Sequence, residues 1–90
     1  MSHTSADRAA LLARVRRLRG QIEGVERALE QGAPCADILN LAASIRGAAQ
    51  GLVLELLEDH LTEHVVKVAD DADRARGAAE LTEVIRRYLK

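Results

Sequence analysis

His60 and His64 stand four residues apart in the segment Asp59-His60-Leu61-Thr62-Glu63-His64. On a helix, that spacing puts both imidazoles on one face, one turn apart. Two neutral imidazoles so placed can grip a single metal ion, as helical histidine pairs do in zinc proteins. His3 and Cys35 are the only other imidazole and thiol in the chain, so a site built from nitrogen and sulfur ligands draws on these four residues. Two other readings share the spacing. The histidines can simply decorate a polar helix face, or His60-x-x-Glu63-His64 can match the H-x-x-E-H pattern of inverzincin peptidases, where the glutamate is a general base. Ninety residues with no evident remote third ligand leave little room for a substrate cleft, and the chain reads as non-enzymatic.

Helices must position these groups. Leu11, Val15, Leu18, Ile22, Val25 and Leu29 recur at alternating steps of four and three, which predicts a first helix from about Ser5 to Glu30 with Ser5 as its N-cap. Gly32 closes it and Pro34 opens the next. Ile38, Leu41, Ala42, Ile45, Ala48, Ala49, Leu52, Leu56 and Leu57 continue the helical period, giving a second helix from about Pro34 to Val68, roughly 50 Å long at ~1.5 Å per residue. Gly20 with Gly24, and Gly47 with Gly51, mark places where another backbone can come close. A break falls at Ala69-Asp70-Asp71-Ala72-Asp73, and a short third helix runs from about Arg74 to Leu89. No strand pattern or repeat interrupts this all-α organisation, a single domain over residues 1–90.

Composition narrows the setting. With no Trp, no Phe and only Tyr88 as an aromatic, the core must be built from Leu, Val, Ile and Ala. One cysteine excludes an intramolecular disulfide framework. No signal-peptide pattern and no span of roughly twenty apolar residues occurs, so a cytoplasmic protein with no membrane association is expected. The net charge of −1 conceals an asymmetry. Arg8, Arg14, Arg16, Arg17 and Arg19 fall in one stretch without an acid, whereas Glu55, Glu58, Asp59, Glu63, Asp70, Asp71 and Asp73 face only Lys67. Arginines on an exposed helix are often a solvated face. Five without an acid, duplicated in an oligomer, instead make a phosphate-binding surface for double-stranded DNA.

A long second helix, apolar around much of its surface, calls for a partner chain. The simplest arrangement is an antiparallel dimer whose first two helices form a four-helix core. Cys35 and His60 are roughly 38 Å apart at helical rise, so they cannot meet within one protomer. Across an antiparallel dimer, Cys35 of one chain can face His60 and His64 of the other, and a metal there bridges subunits.

The segments Arg14-Val15-Arg16-Arg17-Leu18-Arg19-Gly20-Gln21-Ile22-Glu23-Gly24, Cys35 with Ile38-Leu39, Ser44-Ile45-Arg46-Gly47-Ala48 and Leu56-Leu57-Glu58-Asp59-His60-Leu61 resemble the CsoR/RcnR family of metal-sensing repressors. The likeness runs over nearly the whole chain. It implies an all-helical DNA-binding protein with a dimer core, usually a dimer of dimers, and no helix-turn-helix. The family's copper(I) sensors use Cys, His and a second Cys, where His64 stands here. The nickel/cobalt branch uses an N-terminal His with Cys, His and His, a pattern that His3, Cys35, His60 and His64 match. One thiolate among several nitrogens suits Ni(II) or Co(II) and leaves Zn(II) and Cu(II) as alternatives. The resemblance further implies a mobile arm over residues 1–5 that can add the Ser2 amine, with Glu63 as an oxygen donor or supporting contact. Pro34 and Lys67 depart from that branch, which can have a carboxylate and a histidine there. For DNA, the implied residues are Arg14, Arg16, Arg17, Arg19, Gln21 and Arg46. The apo-protein is then expected to repress a metal-efflux gene and to leave its operator on binding metal, with DNA weakening metal binding by the same free energy. A formaldehyde-sensing branch also carries the cysteine. It joins that thiol to an N-terminal proline amine, where Ser2 stands here, and tends to have glutamate at the position of His64.

Overall fold

The computed structural model describes residues 5–89, with side chains from Arg8. They form helix α1 (Ser5–Glu30), helix α2 (Cys35–Leu61), a π-helical segment (Thr62–Val66) and helix α3 (Asp71–Tyr88). No strand occurs among the described residues. The chain divides into two compact units, one comprising Thr4–Val53 and the other built on Leu54–Lys90.

In the first unit α1 and most of α2 form a helical hairpin. Its turn is set by Gly32, whose φ of 67° is the left-handed conformation that a side chain disfavours. Gly32 N donates to Leu29 O at 3.2 Å and Ala33 N to Ala28 O at 2.9 Å, so the end of α1 is closed by a Schellman motif. Pro34 O then accepts from Asp37 N and Ile38 N and starts α2. The expected N-cap, Ser5, is the first helical residue, and the capping position falls outside the described residues.

The heptad stripe of α1 splits into two files. Leu11, Leu18 and Val25 are half-buried, whereas Val15, Ile22 and Leu29 are exposed at 43%, 52% and 62%. Among the described apolar side chains only Ala28 is buried within this chain. The second file therefore remains free to pack on something else. Of the glycines expected to admit a close helix, Gly51 meets Arg14 Nη1, at 3.2 Å from where a Cβ would stand, and Gly24 meets only an arginine of its own helix. Gly20 and Gly47 face open space. Close backbone approach at these glycine pairs is not found within the chain.

In the second unit, two boundaries differ from the sequence expectation. The second helix does not run to Val68: α-helical bonding ends at Leu61, and Lys67 N donates to Thr62 O at 3.0 Å, a bond spanning five residues. A hydrophobic period fixes which face is apolar and is blind to one wider turn. The third helix begins at Asp71 rather than Arg74, because Asp70 is its N-cap and accepts from Asp73 N at 2.9 Å. Arg74 donates to Val68 O at 3.2 Å and ties the connecting loop to the helix. The Arg74–Asp71, Arg76–Asp73 and Arg87–Glu83 pairs are exposed and contribute little. Removing the cap by Asp70→Ala is expected to cost about 1 kcal/mol. Urea unfolding followed by circular dichroism should register it as a lower midpoint at unchanged helix content in the folded state.

Candidate metal centre

The π-helical segment and the end of α2 bring the two histidines together. Their ring centroids are 4.7 Å apart and the planes are tilted by 37°. Both side chains are half-buried. Two nitrogens sharing one tetrahedral ion at metal–nitrogen bonds of about 2.0–2.1 Å lie ~3.3 Å apart, a separation that rings with centroids 4.7 Å apart can span.

Helix α3 holds the first of them. His60 Nε2 lies 3.0 Å from the Gly77 carbonyl oxygen and 3.6 Å from Glu80 Oε1. A carbonyl only accepts, so Nε2 carries the proton, and in the neutral ring Nδ1 keeps its lone pair. Histidines that ligate metals characteristically donate their other ring N–H to a carbonyl or carboxylate. The donor set and its support fit a metal on Nδ1 of His60.

The sequence reading did not single out Gly77 or Glu80. The signal available was Gly77 itself, the one glycine in an otherwise helix-favouring stretch, Ala75-Arg76-Gly77-Ala78-Ala79, where it is costly unless a close neighbour needs the space. It has such a neighbour. Gly77 is buried, and a Cβ there would lie 2.8 Å from the His64 carbonyl carbon and overlap its oxygen.

Glu63 is engaged elsewhere. Its carboxylate accepts from Lys67 Nζ at 3.2 Å, and its side chain is 13% exposed. Cys35 is the first residue of α2 and exposed, in the other unit from the histidine pair. His3 and Ser2 lie outside the described residues. Among the described residues no three His, Cys, Asp or Glu side chains converge to hold an ion. The pair supplies two donors and needs more from elsewhere.

The candidate DNA-binding residues belong to the hairpin unit. Arg14, Arg16, Arg17 and Arg19 on α1 and Arg46 on α2 are exposed. Gln21 is half-buried, with its Oε1 shielded from solvent and not hydrogen-bonded. Among the described residues no helix is long and apolar enough to cross a membrane.

The family model of the metal-sensitive transcriptional repressor matches residues 7–87. Transcriptional repressor RcnR of Salmonella typhimurium is 38% identical over 90 residues, covering all of both chains. Among solved structures, a variant of the formaldehyde-responsive regulator FrmR from Salmonella enterica serovar Typhimurium superposes with a TM-score of 0.90 at 45% identity, over 96% of this chain and 98% of that one. In that variant histidine replaces glutamate at the sequence number His64 holds here. The copper-sensing repressor CsoR with Cu(I) from Geobacillus thermodenitrificans gives a TM-score of 0.89 at 28% identity, over 100% and 94% of the two chains. A family match over nearly the full length, together with a supported histidine pair and an arginine-rich first helix, places this chain in the family of metal-sensitive transcriptional repressors.

Proposed function

We propose that this protein binds operator DNA in its effector-free form and releases it when a divalent transition-metal ion binds at Cys35, His60 and His64. The observation that carries this reading is the commitment of His60 Nε2 to the Gly77 carbonyl, which leaves Nδ1 as a ligand. Cys35 is the only cysteine and His64 stands where a second would, so each site offers one thiolate instead of the two that soft Cu(I) favours. One thiolate among imidazoles suits Ni(II) or Co(II), with Zn(II) and Cu(II) as competitors. His3 and the Ser2 amine are the donors that would raise the coordination number. Glu63, held by Lys67, contributes support rather than a ligand.

The exposed file Val15, Ile22 and Leu29 supports an antiparallel dimer, further paired into a tetramer. In it Cys35 of one protomer completes the site of its partner. The arginines of α1, with Arg46, face the operator, and Gln21, half-buried beside them, is the remaining candidate contact.

A second reading has a specific observation in its favour. Identity is higher to the formaldehyde-responsive regulator, at 45%, than to RcnR at 38% or CsoR at 28%. Overall likeness thus favours an aldehyde effector acting at the Cys35 thiol, whereas His64 favours a metal.

One experiment separates the two. DNA selected by the effector-free protein from a random pool is labelled, and its release is followed by fluorescence anisotropy. Release by micromolar Ni(II) or Co(II), with formaldehyde inert, is the expected result. Release by formaldehyde alone would replace the metal by the aldehyde, and release by Zn(II) alone would move the site to four-coordinate selectivity.

A further inference from the structure

We propose that Gly77 is a positioning residue for the effector site, setting the ring of His60 through its carbonyl and seating α3 on the backbone of His64 through its missing side chain. The consequence for metal affinity depends on the metal reading above; the His60 tautomer does not.

The two contacts come from one residue. Its oxygen is 3.0 Å from His60 Nε2, and its Cα sits where any Cβ would overlap the His64 carbonyl. A backbone acceptor cannot rotate away as a carboxylate can, so Nε2–H is enforced for as long as α3 is docked. Glu80, 3.6 Å from the same nitrogen and 58% exposed, is free to swing into solvent and acts as the secondary acceptor. A side chain at position 77 lifts the helix from the His64 carbonyl and carries the acceptor away with it. Both candidate ligands then lose their support together. Ala78, the next residue along α3, is exposed and makes neither contact.

The test compares the full-length protein with Gly77→Ala and Ala78→Gly. Long-range proton–nitrogen correlation spectra of the histidine rings, recorded without metal in mildly alkaline buffer, report the tautomer. Co(II) titration followed by thiolate charge-transfer absorption reports affinity. In the unsubstituted protein and in Ala78→Gly, His60 should be a fixed Nε2–H tautomer. In Gly77→Ala it should become a mixture, and Co(II) affinity should fall about 10–100-fold, the usual loss when a ligand's outer partner is removed. Circular dichroism checks that the variant remains helical. Ala78→Gly controls for weakened α3, since it lowers helix propensity without touching either histidine. An Nδ1–H tautomer in the unsubstituted protein would overturn the proposal, as would a folded Gly77→Ala protein with the tautomer unchanged. Failure of the unsubstituted protein to bind Co(II) would instead overturn the metal reading, and the tautomer comparison would still decide the role of Gly77.

Discussion

The His64→Glu protein is expected to lose Ni(II) and Co(II) affinity by at least 100-fold while keeping its fold and its DNA binding. The loss of a direct imidazole ligand should exceed the about 10–100-fold typical of outer-shell partners. Glutamate exchanges a borderline nitrogen for a hard oxygen, and hard oxygens suit Mg(II), Ca(II) and Mn(II) better than nickel or cobalt. The fold should tolerate the change, because the contact between His64 and Gly77 is made by the His64 backbone. The substitution also has meaning across the family. It gives this chain the residue type that was removed from the formaldehyde-responsive regulator in its solved variant. Isothermal titration with Ni(II), and DNA release by Ni(II) and by formaldehyde, measure both sides. A protein that loses the metal response and gains none to formaldehyde shows that the imidazole alone specified the metal. A protein whose nickel affinity is unchanged would remove His64 from the site.

The histidine pair was legible because the four-residue spacing still brings the two rings together although His64 lies inside the π-helical turn. The hydrophobic repeat from Leu11 to Leu29 is long and regular, and it located α1 at Ser5–Glu30, where the structure has it. The π-helical turn at Thr62–Val66 left no such trace. Its residues, Thr-Glu-His-Val-Val, carry no glycine or proline to mark an irregular turn. The turn packs against α3, a contact between segments distant in sequence. At the start of α3 the signal was present but misread. Asp70-Asp71-Ala72-Asp73 looks like a polar break, yet an aspartate followed three residues later by a helical N–H is a cap, and Asp70 is one. Gly77 was passed over for a related reason. A lone glycine in a helix shows only that something needs its space, and the structure supplies what that is: the carbonyl of a candidate ligand.

The π-helical turn, the Asp70 cap and Gly77 all lie in the unit that holds the histidines. A helix ending by smooth α-turns would present His60 and His64 with nothing behind them. The wider turn, the capped α3 and the bare Cα at position 77 together put a second helix against the pair. Support for the candidate ligands is then built from backbone groups, which are insensitive to side-chain identity and invisible to motif reading. Cys35 shows the opposite limit. Its type and place at the head of α2 were plain in the sequence, while its distance from the histidines along the helix means that it could join a site with them only through a second copy of the chain.

The Arg16→Ala/Arg17→Ala protein is expected to lose most of its DNA affinity and much of the salt dependence of what remains. Each phosphate contact releases counterions and contributes about −0.9 to the slope of log affinity against log salt concentration. If both arginines touch phosphates in each protomer of a dimer, four contacts disappear and the slope becomes shallower by roughly 3.6. Both side chains are exposed on α1 and form no part of the histidine site, so Ni(II) binding in the absence of DNA should stay within about twofold, as expected for distant independent sites. Anisotropy titrations between low and moderate salt give the slope directly. A drop in affinity with an unchanged slope would mean that the arginines act through the fold of α1 rather than on phosphates. An unchanged affinity would move the DNA surface off α1 altogether. The distinction matters for the mechanism, because linkage requires the metal and the operator to pull on the same assembly. An arginine surface that carried the salt slope, on a hairpin whose second helix runs on to His60, would give the two ligands a shared element through which each could weaken the other.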